Sequence, residues 1–298
     1  MILVTAANGN QGKLLIPRLL AAEVDFRACV RSEESARTLR ATGVTDIVVG
    51  DMAQPDVLAR AMRGVEKVYY VGPALHPRER DMGFASIDAA RAAGVRHFVF
   101  SSALHAIITD LVQHEIKRDL EECLISSGME FTILQPANYM LRHRLTPAFE
   151  KGVFALSWAL DRYQSMVDLG DVAEVAADVL VESDRHAGAT YELVAPGRYT
   201  AHDLARVIAE VTGRDIAAER IDSETFLKAT LGADSATQFP YQARLLRAIS
   251  ERYSSHDFIG NPNVLTWLLG RRPTTFEQFT RREFAAFTAS APTGPQGG

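Results

Sequence analysis

Cysteine is scarce in this chain: Cys29 and Cys123 are the only two, far apart and without metal-ligand spacing. That excludes a disulfide-rich scaffold, and both thiols are expected to lie buried in a reducing compartment. No His/Cys/Asp cluster is spaced like a metal centre, so no metal is expected. No apolar run approaches the roughly 18 residues of a membrane span. The chain opens directly in a strand, not in a basic-then-apolar leader. Basic charge is also short: 32 Lys and Arg stand against 37 Asp and Glu, giving a formal net charge of −5 and a pI near 5.9. No basic stripe is left to neutralise nucleic-acid phosphates. These absences lead to the expectation of a cytoplasmic protein with neither a membrane nor a nucleic-acid partner. The nucleophile elbow of many hydrolases is missing as well.

What is present is a chain of 298 residues, 47% hydrophobic, enough for one large α/β domain with a smaller lobe. Its first twelve residues organise the rest. Ile2-Leu3-Val4 reads as a buried strand, and Ala6 to Gly12 turns sharply into a helix. A strand that delivers a Gly-rich turn to a helix N-terminus leaves backbone N–H groups free for a diphosphate. The three-glycine pattern is present as Ala6, Gly9 and Gly12, so its first position is alanine, which does not take positive φ cheaply. Ala7, Asn10 and Gln11 complete the turn.

Strands and helices then alternate every twenty to thirty residues, which predicts a doubly wound parallel sheet covered on both faces. Strand two, Asp25–Val30, ends at Arg31-Ser32. An acidic residue there would bind the ribose hydroxyls of NAD, whereas Arg31 suits the 2′-phosphate of NADP, with Ser32 as a further donor. The alternative is a solvated arginine at a helix start. Asp51, beside Met52 after strand three, could accept from an adenine amine or cap the loop before Pro55. Gly72-Pro73 turns the chain after strand four, and His76–Arg80 reads as a charged loop ahead of a helix from Met82. Strand five ends in Ser101-Ser102, and strand six ends at Pro136, followed by Asn138. After Pro196 helices predominate, which reads as a smaller lobe over the carboxyl ends of the sheet. The expected division is 1–152 plus about 166–195 for the nucleotide-binding domain and about 153–165 plus 196–288 for the lobe, with a disordered tail over 289–298.

VTAANGNQG, VRS after strand two, Gly50-Asp51, HFVFSS, HEIK at 114–117, SGMEFTILQPANYM and DLGDVAEVAA together resemble the NmrA-like family, an atypical branch of the short-chain dehydrogenase/reductase superfamily. The resemblance implies a Rossmann-type fold, an NADP (NADPH) cofactor and a small-molecule substrate. It places the family lysine on Lys117, the histidine before it on His114, and the serine of ordinary members near Ser101 or Ser102. The tyrosine that serves ordinary members as acid–base catalyst falls on Gln113, which does not titrate. Quinone reduction tolerates that loss better than ketone reduction, because water can supply the protons. Tyr139, Met140, Trp158 and Tyr163 are available as walls of a flat apolar pocket. Lys117 could hold the nicotinamide ribose hydroxyls, protonate a product through one water, or simply pair with Glu121 one turn on. The family also contains dinucleotide-binding regulators without turnover. An NADP-dependent reductase of a planar or carbonyl compound and a redox sensor acting through a regulatory protein partner therefore both stand. A homodimer is open in either case.

Overall fold

The computed structural model describes residues 1–232 and 235–290. In chain order its elements are β1 (Ile2–Val4), α1 (Gly12–Ala21), β2 (Phe26–Val30), α2 (Glu33–Arg40), β3 (Ile47–Val49), α3 (Pro55–Met62), β4 (Lys67–Val71) and α4 (Glu79–Ala92). There follow β5 (His97–Ser101), α5 (Val112–Ile125), β6 (Glu130–Pro136), β7 (Asn138–Met140), α6 (Arg142–Lys151), β8 (Val153–Leu156), β9 (Met166–Asp168), α7 (Leu169–Val181) and β10 (Ala189–Leu193). The remainder is α8 (Ala201–Thr212), β11 (Ala217–Arg220), α9 (Ser223–Leu231), α10 (Ser235–Gln238), α11 (Pro240–Ser255), α12 (Asn263–Leu269) and α13 (Phe276–Ser290). These form two compact units, one of Met1–Ala137, Leu169–Val194 and Pro262–Arg272, the other of Asn138–Asp168, Ala195–Asn261 and the residues from Pro273 onward.

The first unit is the doubly wound sheet the alternation predicts. Seven strands run in the order β3-β2-β1-β4-β5-β6-β10, every adjacent pair parallel. Strands such as HFVFS are buried along their whole length because helices cover both faces. Leu3, Val68, Phe98 and Ile133 are fully buried in that core. The strand order reverses between β1 and β4, which opens a crevice at their carboxyl ends. Helix α7, apolar on most of its faces, packs against α1.

The second unit carries two small parallel pairs, β8 with β11 and β7 with β9. Its core gathers Phe149, Trp158, Tyr253, Phe258 and Phe276. Helix α8 starts in a full capping box, Thr200 with Asp203.

Several boundaries differ from the sequence expectation. The β7–β9 pair ties 138–140 to 166–168, so α6 between them belongs to the second unit and the boundary expected at 152 moves back to 137. Strands of three residues, paired across so long a separation, leave no periodic signal. Helix α12 packs on α7 and β10, which returns 262–272 to the first unit. Helix α4 begins at Glu79, inside the stretch expected to be a loop. Ala289 and Ser290 end α13, and the rest of the expected tail, 291–298, lies outside the described residues. Cys29 is buried as expected, whereas Cys123 is only half-buried. Among the described residues no helix is long and apolar enough to cross a membrane.

Candidate functional site

The turn between β1 and α1 is built around close backbone approach. A Cβ on Gly12 would stand 2.3 Å from the Ala7 carbonyl oxygen and 2.7 Å from that of Ala6, so only glycine fits. Ala6, at the position of the absent glycine, adopts φ 48° despite its side chain. That conformation costs a non-glycine residue about 1 kcal/mol. The Gly9 amide closes the turn onto the Ala6 carbonyl at 2.7 Å. Among the described residues the Asn8 and Asn10 main-chain amides donate to no backbone carbonyl, and α1 starts without a side-chain cap or an acidic residue in its first turn. An uncapped, acid-free helix N-terminus beside spare amides suits an anion.

Gln11 does not fill that hollow. Its side chain is buried, with Nε2 donating to Ser101 Oγ at 2.9 Å and Oε1 accepting from the Tyr69 hydroxyl. The glutamine thus pins the start of α1 to the middle of β4 and the end of β5. Asn8 reaches sideways, donating to Ser35 Oγ at 3.0 Å, and its buried Oδ1 has no partner.

A cleft of about 660 Å³ runs from this turn along the carboxyl ends of β2, β3 and β4. Ala7, Gly9, Arg31, Asp51, Met52 and Pro73 line it, as does Cys29, whose thiol burial pushes up to about 11. Arg31 has no carboxylate partner among the described residues. Ser32 is less free than expected: its Oγ caps α2 by accepting from the Ser35 amide at 3.2 Å. Asp51 takes the capping role left open for it, accepting from Ala53 N at 2.9 Å, while also lining the cleft.

Further along the same rim every predicted polar residue is already engaged. Lys117 Nζ stands 2.8 Å from Glu79 Oε1, and Glu79 is only 1% exposed. The oxygen takes no aligned hydrogen bond, so this contact is one of charge. Gly72 lies against both: a Cβ there would be 3.1 Å from Glu79 Oε1 and 3.2 Å from Lys117 Nζ. The expected Lys117–Glu121 pair does not form, because Glu121 instead accepts from Ser102 Oγ and from Gln135 Nε2. Burial raises the Glu121 carboxyl above its ordinary range. His114 is buried, its Nδ1 2.9 Å from the His105 carbonyl oxygen, and burial lowers its pKa, so the imidazole is neutral and donates there. The Gln113 Oε1 is buried without a partner. The Pro136 carbonyl accepts from Leu104 N. Asn138, expected at the cofactor, belongs to the second unit, where its amide donates to Gln164 at 2.7 Å and accepts from the Tyr253 hydroxyl.

Glu79 is the functional candidate that sequence reasoning missed. A usable signal was there: Glu79, Met82 and Ser86 recur at helical spacing, which places the carboxylate on the buried face of α4. Among the described residues no group of three or more His, Cys, Asp or Glu side chains could hold a metal ion.

A glycine-turned, doubly wound sheet with an open cleft at its switch point defines a dinucleotide-fold protein. The chain belongs to the NmrA-like family, whose sequence profile matches residues 1–279. An NAD(P)H azoreductase of Xenophilus azovorans is 31% identical, over 97% of this chain and all of that protein. Quinone oxidoreductase 2 of Escherichia coli is 28% identical over 77% of this chain and 80% of its own. The crystal structure of Citrobacter sp. triphenylmethane reductase complexed with NADP(H) superposes with a TM-score of 0.79 at 25% identity, covering 95% of this chain and 100% of that one.

Proposed function

We propose that this protein is an NADPH-dependent reductase of a small planar organic compound, a quinone or an azo compound being the leading classes. One observation carries the reading: Arg31, which has no ion-pair partner among the described residues, lines the same cleft as the turn Ala6–Gly9 that leads into the uncapped N-terminus of α1. Two anionic centres are thus provided for, and the end of β2 offers no carboxylate to a plain ribose. The similarity to an NAD(P)H azoreductase and a quinone oxidoreductase supports the same reading.

In this account the amides of Asn8 and Asn10, with the start of α1 at Gly12, hold the diphosphate. Arg31 holds the 2′-phosphate. Asp51, Met52 and the spare Asn8 Oδ1 line the adenosine side. NADPH, when bound, supplies a hydride. Lys117, held by Glu79 beside Gly72, offers its ammonium to the nicotinamide ribose. Ser101 and Ser102, locked onto Gln11 and Glu121, shape the wall without donating a proton. A quinone acceptor needs one hydride and one proton, and water supplies that proton, so Gln113 in place of a phenol does not block the reaction. His114, neutral and bonded to His105, fixes the loop before α5.

A second reading, a regulator that binds NADP(H) without turnover, draws on the non-titrating Gln113 and on the engagement of Ser102 and His114. NADPH oxidation assayed against a panel of quinones and azo dyes separates the two. Turnover with any acceptor, diminished in Lys117→Ala, supports the reductase. Tight NADPH binding with no turnover across the panel, and a partner captured in only one redox state, supports the regulator.

A further inference from the structure

The second unit holds a small, partly enclosed cavity of about 20 Å³, room for one particle the size of a water molecule. Its walls are mostly apolar, Phe154, Trp158 and Phe276 among them, and no carboxylate lines it. Three cationic or amide side chains reach it: Arg144, Arg162 and Gln164. Gln164 is only 6% exposed, its Oε1 accepts from Asn138 at 2.7 Å, and its Nε2 is buried with no acceptor. Arg162 Nε is likewise buried with no acceptor, while the outer end of that guanidinium faces Asp257 at 3.9 Å. Arg144 lies over the Trp158 ring, 5.6 Å from its centre, and makes no ion pair among the described residues. Burial holds its pKa below the ordinary arginine range.

The unspent side-chain groups at this cavity are therefore donors, and two belong to cations. A water could accept from two of them at most and would bring no negative charge to the cations. Buried donors without acceptors and a cation without a counter-charge are both costly. An anion relieves both costs at once, and the cavity's size limits it to a single atom. We infer that this cavity is a binding site for a halide-sized monoanion, chloride in the cell, held by Gln164 Nε2, Arg162 Nε and the Arg144 guanidinium. The site lies wholly within the second unit and does not depend on the NADPH reading. It gives the aromatic cluster around Trp158 a charged tie that the residues themselves do not provide.

The chain has two tryptophans, Trp158 at 4% exposure and Trp267 at 74%. Trp267→Phe leaves the indole beside the cavity as sole reporter. Bromide is titrated into that variant against gluconate at constant ionic strength. The expected result is saturable quenching of Trp158, its midpoint raised about tenfold by Gln164→Leu through loss of one charge-assisted hydrogen bond. Arg144→Met should remove the saturable phase. Should Arg144→Met fold poorly, the unaltered protein gives an independent test. Its melting temperature should rise with chloride relative to gluconate, and go on rising with the logarithm of the chloride concentration once the site is filled, as for any ligand of the native state. Quenching that grows linearly without saturation, equal with and without Gln164→Leu, overturns the assignment. So does a melting temperature indifferent to the anion, either result leaving the cavity to water.

Discussion

Two stretches of one sheet rim in the first unit differ in how far their polar groups are already spent. Along β1, β2 and β3 the rim is open: the turn that leads into an uncapped helix, and Arg31, which has no ion-pair partner among the described residues, line a cleft of about 660 Å³. Toward β5 and α5 it is closed in on itself: Gln11 holds Ser101, Glu121 holds Ser102, Glu79 holds Lys117 and the His105 carbonyl holds His114. The open stretch has hydrogen-bonding capacity that no group of the protein takes up. The closed stretch is preorganised, offering a fixed wall and one held ammonium. On the proposed reading, cofactor binding falls to the open stretch and the chemistry to the closed one, so substitutions in the two should fail differently.

The largest effect is expected in the open stretch. Gly12→Ala drives a Cβ into the Ala7 and Ala6 carbonyls, which belong to the backbone and cannot step aside. NADPH binding measured by fluorescence titration should be lost, and retained binding would show that the turn is not the phosphate site. In the closed stretch, Glu79→Gln leaves the Lys117 ammonium beside a neutral amide. Removing one partner of a buried pair costs about 3 kcal/mol. Denaturant unfolding should show that loss while NADPH affinity changes far less. A fall in affinity matching the fall in stability would erase the distinction between the stretches.

Acid should act from the opposite edge of the sheet. His97, at the amino end of β5, is fully buried, and its pKa is pushed down to about 4, burial being the main cause. The unfolded imidazole takes a proton near 6.5 and the native one only near 4, so acid favours unfolding between those values. Stability should hold above pH 6.5, decline by about 3 kcal/mol on the way down to pH 4, and owe no further loss to this group below that. His97→Asn or His97→Gln should flatten that slope in pH-dependent denaturant titrations. The smallest effect belongs to Ala6→Gly, which relieves φ 48° but frees the unfolded chain, for a net change within about 1 kcal/mol. Its cofactor affinity should be unchanged or slightly improved.

The open stretch was the legible one. Its parts are local: a strand, a glycine turn and the residue after the next strand lie within thirty-two positions, and each has its own signature. The closed stretch was not, because its partners come from distant sequence. Glu79 meets Lys117 across α4 and α5, Gln135 meets Glu121 from β6, and Tyr69 meets Gln11 from β4. Helical spacing offers Glu121 as the partner of Lys117, but Ser102 and Gln135 hold that carboxylate. Ser32 and Asp51 illustrate a subtler limit: short polar side chains just past strand ends suit local turns and caps as well as ligands, and the backbone amides of Ser35 and Ala53 take their oxygens. In the second unit, β7 and β9 are too short for any period to announce them, and the donors around Trp158 become a group only once those strands pair.

The central claim is that the open stretch holds NADP(H) with Arg31 on the 2′-phosphate. Dissociation constants for NADPH and NADH, measured side by side on the unaltered protein and on Arg31→Ala, test it most directly. The account predicts a preference for NADPH of about tenfold or more, the worth of one charge-assisted contact, and its disappearance in the variant with NADH affinity intact. Equal affinities in the unaltered protein, or a preference that survives Arg31→Ala, would contradict it.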